Sequence, residues 1–309
     1  MPTLREFTFP SSDNQHQIYV REWTPDGAVR GIVQLAHGIA EHIARYDGFA
    51  QFLAEHGFLV AGNDHLGHGK SAADESEIGV FAENGGWQYA VSDMRTLTTM
   101  LQEAHPETPT FLFGHSMGSF LTRTYIINWR TGLSGAVISG TGQQSALLVR
   151  GGEMMANLEV RQKGHAFKSE RLNTMAFGKY NDGIAHPNTA CDWLSRDTEV
   201  VDKYVTDPLC GWVPSAGMFR DMMGGIKFIS AKKNVKRMNP ELPVLFVSGE
   251  ADPVGENGKG VMRAYRSFIA AGMSDVTLKL YPGGRHEMLN EINKDQVFED
   301  VLAWLESKM

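Results

Sequence analysis

Short apolar runs recur along this chain. Most are followed by a polar, glycine-bearing loop and then by a stretch whose apolar positions fall three or four apart. Runs of the first kind predict buried strands, and stretches of the second kind predict helices. Leu4 to Phe9 and Ile18 to Trp23 alternate in character and predict two strands joined by the turn Pro10-Ser11-Ser12-Asp13-Asn14. Gly31 to Ala36 predicts a buried strand. A helix over 43–56 follows, with Phe49, Phe52 and Leu53 on one face and Gly57 as its stop. Phe58 to Ala61 predicts a strand, 87–104 a helix ended by His105-Pro106, and Thr110 to Phe113 another strand. A helix carrying Phe120, Leu121, Tyr125, Ile126 and Trp129 comes next, then a strand from Ser134 to Ser139. From Gly140 to about Gly225 the alternation stops, and neither a strand nor a long helical repeat is legible. It resumes with a strand over Pro243 to Ser248, a helix over 257–271, a strand over Val276 to Tyr281 and an amphipathic helix over 291–307. Strands alternating with helices predict an α/β fold: an open, mostly parallel sheet with helices on both faces. The core is expected over 1–139 and 226–309, with 140–225 inserted.

Ligands bind such sheets outside the carboxyl ends of the strands. The polar clusters at 37–42, 63–71, 114–118, 248–255 and 283–287 each lie just after a predicted strand. One of them is Gly114-His115-Ser116-Met117-Gly118, a G-x-S-x-G sequence between strand and helix, which is the context of a nucleophile elbow. A serine hydroxyl is a weak nucleophile and needs a sharp turn to meet both a base and a substrate carbonyl. Glycines at 114 and 118 fit a turn too tight for side chains.

The base expected for Ser116 is His286, in the glycine-rich loop after the last strand. His16, His56 and His105 fall at turns or helix ends, His165 and His186 fall in the insert, and His115 adjoins the serine in sequence. An orienting acid must fix the imidazole tautomer. Asp252, before a proline in the loop after 243–248, is the first choice, with Glu250 as its rival. The developing oxyanion needs two backbone donors. The amides of Met117, directly after the nucleophile, and of Ile39, in the loop after 31–36, are best placed.

His37, Glu41, His42, Asp64, His65 and His68 carry metal-ligating groups, but their spacing matches no zinc pattern. Mutual bracing of two loops is expected, and no metal or other cofactor. The net charge of −7 argues against nucleic acid. No apolar run spans a bilayer, and no secretory leader is evident. The two cysteines, Cys191 and Cys210, imply no disulfide framework and suit a reducing compartment, although their pairing is left open. A cytoplasmic protein is the expectation, with room for a peripheral membrane contact.

His37-Gly-Ile-Ala-Glu-His-Ile-Ala-Arg-Tyr46, Asn63-Asp-His-Leu-Gly-His-Gly-Lys-Ser71 and Gly114–Gly118 together resemble the monoacylglycerol lipase and lysophospholipase-type α/β-hydrolases, a group also labelled serine aminopeptidase-like. The resemblance covers 30–130 and 240–305, and Cys191–Asp197 and Tyr204–Cys210 resemble the cap of bacterial members. It implies a triad of Ser116, Asp252 and His286, oxyanion amides on Ile39 and Met117, and a helical cap over an acyl pocket. Ala40 and Ser119 depart from it, standing where many members have glycine.

The expected function is that of a serine hydrolase acting through an acyl-enzyme. Its expected partner is a small lipid-like ester with one apolar acyl chain, such as a monoacylglycerol or lysophospholipid. The alternatives are a peptidase or amidase on the same triad, a small-ester carboxylesterase, or a non-catalytic ligand receptor. Intact Ser, Asp and His speak against the last.

Overall fold

In the computed structural model, which describes residues 2–309, the alternation becomes one eight-stranded sheet. Its strands are β1 (Thr3–Pro10), β2 (Gln17–Thr24), β3 (Gly31–Ala36), β4 (Phe58–Asn63), β5 (Thr110–His115), β6 (Gly135–Ser139), β7 (Val244–Gly249) and β8 (Val276–Tyr281). They lie in the order β1-β2-β4-β3-β5-β6-β7-β8. Both pairings of β2 are antiparallel, to β1 and to β4, and all others are parallel. The helices are α1 (Asp47–Glu55), α2 (Gly86–Ala104), α3 (Met117–Asn128), α4 (Ala146–Lys163), α5 (Glu170–Phe177), α6 (Thr198–Thr206), α7 (Ala216–Ser230), α8 (Lys232–Val235), α9 (Lys259–Ala270) and α10 (Lys294–Glu306).

The apolar runs are strands buried on both sides, as parallel strands between helices must be. In β3, Ile32 and Ala36 face one core while Val33 and Leu35 face the other; in β5, Leu112 opposes Phe111 and Phe113. The first core takes its helical side chains from α2, α3 and α9, such as Met94, Leu121 and Phe268. The second takes them from α1 and α10, such as Phe49, Leu53, Val301 and Leu305. No helix among the described residues is long and apolar enough to cross a membrane.

Two expectations need correction. Residues 43–56 are not one helix: a 3-10 turn, Ile43–Tyr46, precedes α1. The stretch from 140 to 225 does hold long helices. Four are capped by Ser145, Ser169, Asp197 and Ser215, whose side-chain oxygens accept N–H groups of the first turns of α4, α5, α6 and α7. In the 18-residue α4 only Val149, Ala156 and Glu159 are buried, so it has no apolar stripe to betray it. The 15-residue α7 does carry one, Met218, Met222, Ile226 and Ile229, interrupted by glycines, and it continues through residue 225 without a break. It packs on α2, α3 and α4. The whole segment leaves from the carboxyl end of β6, on the side where Ser116 follows β5.

Candidate active site

The site begins where β5 stops and α3 starts. Between them Ser116 sits at φ 54° and ψ −120°, a conformation that costs a non-glycine residue of order 1–3 kcal/mol. Its surroundings hold it there. Its N–H donates to the Ser139 carbonyl at 3.0 Å, and its own carbonyl accepts from the N–H of Ser119 at 2.9 Å and the Ser119 hydroxyl at 2.6 Å. The serine that departs from the family pattern thus braces the turn. Both flanking glycines are forced by close approach. A Cβ on Gly114 would lie 2.3 Å from the Gly118 carbonyl, and one on Gly118 would lie 2.0 Å from that of Ala36.

His286 and Asp252 come from the loops after β8 and β7. The Nδ1–H of His286 donates to Oδ1 of Asp252 at 3.0 Å, with both side chains buried. The same oxygen accepts the Val254 N–H at 2.9 Å, and the Ser248 hydroxyl approaches Oδ2 at 3.4 Å. Burial alone would depress the His286 pKa; the Asp252 charge outweighs it, and the imidazole is held above its usual 6.5. Its ring packs near those of His115, at 4.6 Å between centroids, and Trp193, at 5.1 Å. Burial first, and then the neighbouring His286, push His115 down to about 4, so His115 is neutral where His286 titrates. Glu250 is exposed and lines a second cleft with Arg196 and Arg285, not the cavity that Ser116 and His286 line.

Ile39, Ser116 and Met117 all line one cavity of about 1040 Å³. Among the described residues neither amide has an acceptor, and Met117 opens α3, whose positive end favours an anion. The neighbouring Gly38 N–H is taken, donating to Oε1 of Glu41 at 2.5 Å. Ala40 has φ 56°, which explains why glycine is common there in the family that its motif resembles. Its carbonyl accepts the Tyr204 hydroxyl at 3.0 Å and the Gly211 N–H at 2.9 Å. The segment between β6 and β7 therefore fastens directly onto the loop after β3.

A buried ion network was not read from the sequence. Arg45 donates to Oε2 of Glu41 at 2.6 Å and to both oxygens of Glu287 at 2.7 Å, with the Tyr204 ring 4.8 Å away. Burial would raise the Glu287 carboxyl, but the Arg45 guanidinium holds it down at about 2. Arg45 lay inside the quoted motif and Glu287 beside His286; only the third dimension shows that one arginine joins both loops.

The cavity roof comes from the segment after β6. Met155, Leu172, Phe177, Trp193, Trp212 and Phe219 line it. Met154, Leu158 and Phe167 of the same segment face solvent, and Met218 is buried in the core.

The histidine and acid cluster braces two loops. The His65 N–H donates to Nε2 of His37 at 3.0 Å, while Asp64 accepts the N–H groups of Ile43 at 2.7 Å and Lys70 at 2.8 Å. His42 points away, to Asp207, where Cys210 completes a group of three potential metal ligands. Both cysteines are free thiols. Burial pushes His37 down to about 3, and burial followed by neighbouring imidazoles pushes His65 and His68 well below 6.5. The folded protein keeps these three and His115 neutral while the unfolded chain protonates them near 6.5. Stability is expected to fall as pH drops below that value, by about 1.4 kcal/mol per pH unit for each histidine. Urea midpoints from pH 8 to 5 test this: a decline below 6.5 is expected, offset in part by His286, whose raised pKa acts in the opposite sense, and a flat series to pH 5 would contradict it.

Comparison with known proteins accords with this geometry. The family model described as serine aminopeptidase, S33, matches residues 27–293. A monoacylglycerol lipase of Mycolicibacterium smegmatis is 33% identical over 294 residues, covering 93% of this chain and 92% of that protein. A monoglyceride lipase of Rattus norvegicus is 28% identical, covering 97% and 89%. The crystal structure of a thermostable carboxyl esterase from Bacillus coagulans, in complex with glycerol, superposes with a TM-score of 0.92 at 29% identity, covering 99% of this chain and 98% of that one. The chain belongs to the serine aminopeptidase S33 family and has the α/β-hydrolase fold; it is a hydrolase.

Proposed function

We propose, from that membership and from the site, that the chain hydrolyses carboxylic esters with one apolar acyl chain, of the monoacylglycerol type, through an acyl-enzyme on Ser116. The observation that carries the reading is that Ser116 and the Asp252-backed His286 open together onto a large cavity roofed by apolar side chains. Apolar walls around a few polar groups suit an acyl ligand. The names of the relatives, and the glycerol in the related esterase, support a glycerol ester over other head groups.

In this mechanism Ser116 Oγ attacks the ester carbonyl carbon as its proton passes to His286 Nε2. The amides of Ile39 and Met117 receive the oxyanion. Collapse breaks the bond to the alcohol, which leaves with the proton from Nε2, and water repeats the sequence to free the acid. Asp252 keeps Nδ1 protonated and stabilises the imidazolium. Residues 140–225 act as a cap over the core formed by 1–139 and 226–309. In α4, Leu147, Leu148 and Met154 are 83%, 64% and 72% exposed, and the first two also line the cavity, so its mouth carries an apolar surface suited to peripheral membrane contact. Two free thiols suit a reducing compartment, so the proposed location is the cytoplasm.

Graded p-nitrophenyl esters test the substrate class. Each buried methylene is worth roughly 0.8 kcal/mol, or about fourfold in kcat/KM. The expected result is a rise from acetyl to at least a medium chain, then a plateau or fall, with far slower turnover of an aminoacyl anilide. An enzyme fastest on acetate would discard the lipid-like class, and one fastest on the anilide would favour a peptidase.

A further inference from the structure

Behind the loop after β3, three ligand-bearing side chains converge from two segments. His42 ends that loop, and Asp207 and Cys210 lie in the turn after α6. His42 Nε2 and Asp207 Oδ2 are 2.9 Å apart, and with Cys210 Sγ these atoms all lie within 4.8 Å of one another. We propose that the trio is a binding site for a divalent ion of the zinc type, joining the cap to the loop that carries the Ile39 amide.

The donor set selects the ion. An imidazole nitrogen, a carboxylate oxygen and a thiolate sulfur are the ligands zinc takes, and three of them leave a fourth tetrahedral position for water. Calcium and magnesium require oxygen donors, which two of the three groups do not offer. Zinc bonds of about 2.0–2.3 Å place tetrahedral ligands roughly 3.3–3.8 Å apart. The His42–Asp207 pair therefore opens slightly, and the sulfur need close by no more than about an ångström. The His42 and Asp207 side chains are 12% and 30% exposed, so an ion can reach them from solvent.

The surrounding charges also favour a cation. Arg45, the cation near Cys210, is already paired with Glu41 and Glu287, and Asp207 adds a further carboxylate. Binding forms bonds from the metal to His42 Nε2, Asp207 Oδ2 and Cys210 Sγ and releases the Cys210 proton to solvent. Affinity accordingly rises with pH. The ion would sit beside the hydrogen bonds from Tyr204 and Gly211 to the Ala40 carbonyl, and would reinforce that junction.

The test uses the full chain, stripped with a chelator and given Zn2+ or Co2+ alone. One Zn2+ per chain is expected by equilibrium dialysis and elemental analysis, with a higher melting temperature and proton release on binding. Co2+ is expected to show the near-ultraviolet charge-transfer absorption of a thiolate ligand. Cys210→Ala and His42→Ala should each lower affinity by at least roughly 10–100-fold, the loss known for weaker, outer-shell changes. Cys210→Ala should lose the charge-transfer band while keeping the parent's circular dichroism. Absence of stoichiometric binding, a cobalt spectrum without the thiolate band, or binding unchanged in both variants would overturn the proposal. The cobalt spectrum of the parent decides the matter even if a variant fails to fold. The esterase reading survives any of these results.

Discussion

Ser116→Ala is expected to lower ester turnover by roughly a million-fold, to the residual rate that oxyanion donors and binding alone provide. The size follows from covalent catalysis: without Oγ there is no acyl-enzyme, and the remaining groups can only assist direct attack by water. The fold should not suffer. Ser116 is half-buried, and the bonds that hold its turn run through its own N–H and carbonyl, which alanine keeps. Alanine carries the same cost at φ 54° as serine. A fluorophosphonate probe is expected to label the parent and leave the variant unlabelled, with melting temperatures close together. Equal labelling of both proteins would remove Ser116 from the mechanism.

The part of this architecture legible in the sequence is the part written in local patterns. Buried parallel strands print continuous apolar runs, so every sheet strand was read near its true place. The elbow is legible because Gly114 and Gly118 answer contacts no side chain could survive. The helices over the site were not legible, for two physical reasons. The side chains of α4 are mostly exposed or line a cavity, so no stripe forms. The stripe of α7 is broken by Gly225, which lets it approach Trp87 so closely that a Cβ would lie 2.2 Å from the indole. Arg45 and Tyr204 escaped as site residues because their partners are distant in sequence: Glu287 for Arg45, the Ala40 carbonyl for Tyr204. Patterns of period two or 3.6 carry no information about such pairs.

The second large effect separates Asp252 from Glu250, the two carboxylates that the sequence placed in one loop. Asp252 is buried and accepts the Nδ1–H of His286, whereas Glu250 is exposed and lines another cleft. Asp252→Asn keeps the shape but offers the ring an amide, which permits the wrong tautomer and no longer stabilises the imidazolium. A loss of about 10⁴ in kcat is the precedent for that change. Glu250→Gln touches none of the reacting groups and is expected to change kcat by no more than roughly twofold. The pH profile adds a readout that damage to the fold would not reproduce. Burial pulls the His286 pKa down and the Asp252 charge lifts it above 6.5. The base must be neutral to accept the serine proton, so the acid limb of kcat/KM in the parent lies above 6.5. Without the charge burial prevails, and in Asp252→Asn the limb of the residual activity moves to lower pH, while in Glu250→Gln it stays. A limb that shifts in Glu250→Gln and holds in Asp252→Asn would assign the orienting acid to Glu250.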